Sequence, residues 1–126
     1  QDLVVTFRNL HNWLGQDAMK AIMQEAFNSL KEGGHFGVVE HRAPEGSDLE
    51  FMKKSGYVTQ SLAIQTAQEV GFKLVASSEI NANPKDTADH PRGVWTLPPS
   101  FRLKDQDRKK YAAIGESDRM TLLFKK

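Results

Sequence analysis

The chain has 126 residues, enough for one domain that hides roughly two-thirds of its unfolded surface. Its 17 basic and 16 acidic side chains nearly cancel, which argues against a nucleic-acid footprint or an acidic interaction tail. With no cysteine there is neither a disulfide framework nor a thiolate metal site, and no apolar stretch approaches the ~20 residues of a membrane span. The N-terminus also lacks the basic-then-apolar order of a signal peptide.

The opening segment, Asp2-Leu-Val-Val-Thr-Phe, is apolar on consecutive residues, a pattern that suits a parallel strand covered on both faces. It ends in a polar and aromatic cluster, Arg8, Asn9, His11, Asn12 and Trp13, at the carboxyl end of the strand, where open parallel sheets gather their ligands. Because Gln1-Asp2 runs straight into this strand, the sequence predicts a missing partner, a preceding segment or another chain, beside it. From Asp17 to Leu30, Met19, Ile22, Met23, Ala26, Phe27 and Leu30 follow helical spacing, with Asp17 as N-cap and Gly33 as C-cap glycine.

His35 to Glu40 reads as a second strand, parallel to the first through a right-handed crossover, and Pro44 to Asp48 as a loop. Thr59 to Val70 reads as a helix closed by Gly71, and Phe72 to Ile80 as a third strand with apolar residues alternating. Residues 81–103 hold four of the five prolines and no periodicity, so they form a long irregular excursion. A short polar helix over Lys104–Ile114 and an alternating strand over Arg119–Lys125 complete a single domain spanning residues 1–126.

Four segments in order carry a resemblance. Asp2-Leu-Val-Val-Thr-Phe-Arg-Asn-Leu-His-Asn12, Leu30-Lys-Glu-Gly-Gly-His-Phe-Gly-Val-Val-Glu40, Gly71-Phe72 and Gly115-Glu-Ser-Asp-Arg-Met120 are similar to the later strand entries of class I S-adenosylmethionine-dependent methyltransferases. The whole chain resembles the C-terminal half of these enzymes, closest to a bacterial group of predicted methyltransferases. The resemblance implies an α/β, three-layer Rossmann-like methyltransferase fold. Only strands four to seven are present, the last antiparallel and inserted between the fifth and sixth. It implies methyl transfer from S-adenosyl-L-methionine to an acceptor, a small molecule being favoured, while the balanced charge and the lack of a long apolar run give the expectation of no nucleic-acid or membrane partner.

The glycine-rich turn that would cradle the cofactor belongs to the N-terminal half, which is not present here. Gly33-Gly34-His-Phe-Gly37 precedes its strand rather than following one, so it does not supply that turn. The rival reading is a non-catalytic binding or assembly module that retains the methyltransferase tail. A hydrolase or dinucleotide oxidoreductase would need a nucleophile elbow or a Gly-x-Gly turn after a strand, and the chain has neither. The cytoplasm is favoured as the compartment, with export open if a signal peptide precedes the segment.

The resemblance and the strand-end position together nominate His11 as a catalytic base, the alternative being that it caps the next helix or packs under Trp13. Arg8, Asn9 and Leu10 are assigned to the cofactor's amino-acid end. Trp13, Glu40, His41, Tyr57, His90 and Arg92 are candidates to contact substrate. Each has an ordinary counterpart: an ion pair for Glu40 and His41, solvated loop charge for His90 and Arg92, core or lid packing for the aromatic residues Tyr57 and Trp95. A metal site from His11, His35, His41 and His90 lacks the close pairing of zinc-binding helices, so no metal is expected.

Overall fold

A computed structural model describes all residues, 1–126. The chain forms β1 (Leu3–Phe7), α1 (Leu10–Gly15), α2 (Met19–Ser29), β2 (His35–Ala43), α3 (Leu49–Ser55), β3 (Val58–Thr59), α4 (Gln60–Val70), β4 (Lys73–Ser78), a 3₁₀ turn (Gly93–Thr96), α5 (Arg108–Ile114) and β5 (Arg119–Lys125). The fold is α/β with a mixed five-stranded sheet. The sheet runs β1-β2-β5-β4, and the two-residue β3 extends the end of β2. Strands β1 and β2 are parallel, Leu3 to Phe7 lying against His35 to Val39, as the crossover rule requires. Strand β5 is antiparallel to both β2 and β4 and sits between them.

The core forms where the helices meet one face of this sheet. Phe36, Val38, Met120, Leu122 and Phe124 project from the strands onto Leu10, Leu14, Met19 and Met23 of α1 and α2 and Ala63, Ala67 and Val70 of α4, all buried. Phe36 stacks on Phe72 and Phe124, with ring centroids 5.1 and 6.2 Å away, so three aromatic side chains join β2, β5 and the start of β4. Offset packing of this kind adds ~0.5–1.5 kcal/mol per pair beyond area burial.

The opposite face carries no helix. Leu3, Val5 and Phe7 alternate onto it and are 56%, 51% and 58% exposed. Strand β1 lies at the edge of the sheet, as the expectation of an unpaired edge had it, but two other expectations are corrected: it is covered on one face rather than both, and the molecule has one helical layer on its sheet rather than three layers in all. Strand β4 is also a rim strand, exposed along its length, so only Phe72 of the expected Phe72–Ile80 alternation reaches the core.

Helix boundaries depart from the predicted ones in informative ways. Asp17 does not cap α2: Ala18 holds that position, while Asp17 adopts φ 55° and pairs with Lys53. Leu30 ends α2 in an extended conformation, and Gly33 turns at φ 80° just before β2. Helix α3, absent from the sequence reading, is capped by the Asp48 carboxylate accepting from Phe51 N–H at 2.8 Å and ends at Gly56 with φ 80°.

Replacing Phe36 by Ala removes the ring that joins the three strands from a position only 1% exposed. The expected loss is ~3–5 kcal/mol of unfolding free energy, measured by urea titration.

Candidate functional site

The site begins where β1 stops. Arg8 takes a left-handed backbone, φ 57°, and its N–H still bonds Val39 O at 2.7 Å, so the chain leaves the sheet sharply at the first polar residue. A non-glycine residue held there is strained, and such strain collects at functional positions. The turn starts α1 at Leu10 and swings His11 over the end of β2. There the Glu40 carboxylate, fully buried, accepts from Leu10 N–H at 3.1 Å through Oε2 and meets His11 Nδ1 through Oε1. Burial raises the Glu40 pKa above the ordinary carboxylate value, and the hydrogen bonds and charge of His11 oppose that rise.

His41, the next residue of β2, points to the other side of the strand, as alternation demands. Its Nδ1 is hydrogen-bonded to Ser117 Oγ, which also accepts from Arg119 Nε at 3.3 Å. Ser117 immediately precedes β5, and Arg119 pairs in register with His41, so the antiparallel last strand delivers both groups to the site. The two imidazole rings stand 5.4 Å apart, and the Trp95 ring lies 6.0 Å from His11. Burial, with the charges of His11, Arg119 and Arg8, holds the His41 pKa down at about 3, so His41 is neutral at ordinary pH.

These groups border one cavity of about 350 Å³, lined by Phe7, Arg8, Asn9, His11, His41, Val94, Trp95, Pro98, Pro99, Ser100, Ser117 and Arg119. No protein atom bonds Nε2 of either histidine, and no buried side-chain nitrogen lacks a partner, so both Nε2 atoms reach the open cavity. Facing the Glu40 carboxylate, His11 Nδ1 carries a proton, which leaves Nε2 to the cavity. Ser117 Oγ, which accepts from Arg119, can either donate to His41 Nδ1 or accept from it, so the neutral His41 can present an N–H or a lone pair at Nε2 to match what occupies the cavity. The cavity therefore holds two imidazole Nε2 atoms side by side, one backed by a carboxylate and the other by a hydroxyl.

The far wall is the long excursion, and it is tied down. Gly93, φ 61°, passes so close to α3 that an added Cβ would lie 2.4 Å from Ser55 O, while a Cβ on Gly56 would lie 2.8 Å from Val94. Further along the strand ends, buried Asp86 accepts from Tyr57 Oη at 2.9 Å, His90 Nε2 at 2.8 Å and the backbone N–H groups of Ala88 and Asp118. Asp118 takes Arg42 Nε and Nη2, each at 3.0 Å. Burial and the Asp86 charge hold Tyr57 protonated far above its usual range.

Of the predicted site residues, Arg8, Asn9, His11 and His41 come together on the cavity, with Leu10 and Glu40 directly beneath. The others do not join them. Trp13 is half-buried against the core, because α1 turns it away from the strand ends. Tyr57 is a fully buried core residue committed to Asp86. His90 is pinned by the same carboxylate, and Arg92 lines a separate cleft with Lys54, His90 and Arg102. Sequence reasoning missed Ser117 and Arg119, although the predicted antiparallel last strand already required its first residues to lie at the carboxyl end of β2.

No group of three or more His, Asp or Glu side chains is arranged to hold a metal ion, and no helix is long and apolar enough to cross a membrane. No protein-family model matches the chain, and no curated protein does.

Between pH 6.5 and 3 the unfolded chain protonates His41 while the folded chain refuses the proton, so stability falls as pH drops through that window. The limit is ~1.4 kcal/mol per unit of displacement. Urea melts of wild type and His41→Gln across this range should show the slope shrinking in the variant, and the His41 ring should stay neutral by NMR down to about pH 4. Gly93→Ala should lower stability by ~2 kcal/mol or more and loosen the Val94–Ser100 wall, read as faster amide exchange there.

Proposed function

We propose that this chain contributes to S-adenosyl-L-methionine-dependent methyl transfer onto a small-molecule acceptor, as the C-terminal portion of a Rossmann-like methyltransferase. The observation that carries this reading is the cavity beyond the carboxyl ends of the parallel strands β1 and β2, beside an antiparallel last strand. The strand order agrees with the resemblance carried by the four sequence segments.

The lining suits one end of the cofactor. Arg8 has no side-chain partner in the protein, and together with Asn9 and Leu10 it would border the carboxylate of the amino-acid moiety. No Asp or Glu lines the cavity to take ribose hydroxyls, so residues outside these 126 would hold the nucleoside end. When bound, the cofactor supplies an electrophilic methyl group on a sulfonium. The protein's part is chiefly alignment, and His11, steadied by Glu40, removes a proton from an acceptor that must lose one.

A second reading, a non-catalytic binding or assembly module, is favoured by the open apolar face and the free edge of β1, which suits pairing with a strand from another chain or from a segment preceding Gln1. Sedimentation equilibrium separates it by revealing a stable self-associated species.

The methyl-transfer reading is tested by titrating the ¹⁵N-labelled chain with S-adenosylhomocysteine at millimolar concentration, where even weak contact registers. Shifts should concentrate at Arg8, Asn9, Leu10, His11 and His41. Unmoved amides at those positions would remove the reading.

A further inference from the structure

The electrostatics of the cavity narrow what it can hold. Its twelve lining residues include two arginines and two histidines but no carboxylate. Two acids touch the lining, and one of them, Glu40, is buried and committed to Leu10 N–H and His11. Glu116 takes one nitrogen of Arg119, Nη2, on the exposed side, at 2.9 Å. Arg8 and Arg119 leave the sheet from the strands flanking β2, one on either side of His41, so their backbones are ~10 Å apart, two strand spacings. Phe7, Trp95, Pro98 and Pro99 supply flat apolar walls between and above them.

We propose that the cavity takes a hydroxylated organic anion with a flat apolar body, its negative group held by Arg119 and the Nε2–H of His41 and its hydroxyl facing Nε2 of His11. The partners behind the two rings, a carboxylate for His11 and a hydroxyl for His41, give this arrangement its direction. An anionic oxygen selects the Nε2–H tautomer of His41, which Ser117 can match by donating to Nδ1. With Nδ1–H directed at Glu40, the neutral His11 accepts at Nε2, which matches a hydroxyl.

The anion part stands on the lining alone, and the use made of the hydroxyl rests on the methyl-transfer reading. In that step the acceptor oxygen forms its bond to the methyl carbon as the carbon–sulfur bond breaks. The bonding pair goes to sulfur, which becomes a neutral thioether, and the hydroxyl proton goes to His11 Nε2. Arg8 faces the same cavity, and the carboxylate of an acceptor and that of the cofactor's amino-acid end are chemically alike, so the two sources are separated by variant.

The probes are 4-hydroxybenzoate and its neutral counterpart 4-hydroxybenzyl alcohol, titrated into the labelled chain with backbone amide and imidazole resonances followed. The anion should bind about tenfold more tightly or better, the worth of one charge-assisted hydrogen bond, with shifts at His11, His41 and Arg119. Arg119→Gln should erase the preference, and Arg8→Gln should weaken S-adenosylhomocysteine while leaving 4-hydroxybenzoate within about twofold.

Equal affinity of wild type for the two probes, or shifts away from the cavity, overturns the proposal without reference to any variant. Loss of the preference in Arg8→Gln but not in Arg119→Gln overturns the assignment of the anion to Arg119. A retained anion preference in a chain that S-adenosylhomocysteine leaves unmoved supports the anion site and removes the methyl-transfer reading instead.

Discussion

The buried carboxylate of Glu40 is the constraint on which the site depends. Taking a carboxylate out of water costs several kcal/mol unless its lone pairs are engaged, and here both oxygens are: one by the first N–H of α1, the other by His11. Those bonds pin the start of α1 to the end of β2 and choose which nitrogen of His11 carries the proton. Removing the imidazole would leave the carboxyl buried with backbone partners alone, a larger penalty than the pair's own net contribution. The left-handed turn at Arg8 belongs to the same arrangement, since only a sharp exit from β1 lets Leu10 and His11 face Glu40.

A second carboxylate, Asp86, does for the far wall what Glu40 does for the near one. It gathers Tyr57, His90 and two backbone N–H groups, and through Asp118 it is linked to Arg42 at the end of β2. A stretch with no regular secondary structure over most of its length is thereby held by convergent hydrogen bonds and by the close approach of Gly93 to Ser55. The cavity has two walls of different origin, strand ends on one side and a knotted loop on the other.

Much of the sheet was legible because its signals are periodic. The helical stripe Met19-Met23-Phe27, the crossover into His35–Glu40 and the alternation from Arg119 onward each led to the right element. Helices α1 and α3 were not legible, being six and seven residues long, too short for a stripe to emerge. For α3 the Asp48 cap and Gly56 terminator were the available clues. At the site, Arg8, His11 and His41 gather on one cavity because each lies at or just past the carboxyl end of a strand. Tyr57, His90 and Trp13 lie away from it, because an aromatic residue in sequence does not reveal which buried partner it packs against. Ser117 and Arg119 needed topology as well as composition.

The uncovered face of β1 shows what a run of apolar residues does and does not say: Leu3 to Phe7 reports that both sides of the strand are apolar, not that both are covered. Its consequence is thermodynamic. Leu3, Val5 and Phe7 are already hydrated in the native fold, so unfolding uncovers less new hydrocarbon than a chain of this length ordinarily does, and the heat-capacity increment per residue should fall below the usual ~12–15 cal/mol/K. The stability curve of this protein is accordingly flatter, with a shallower decline towards the cold.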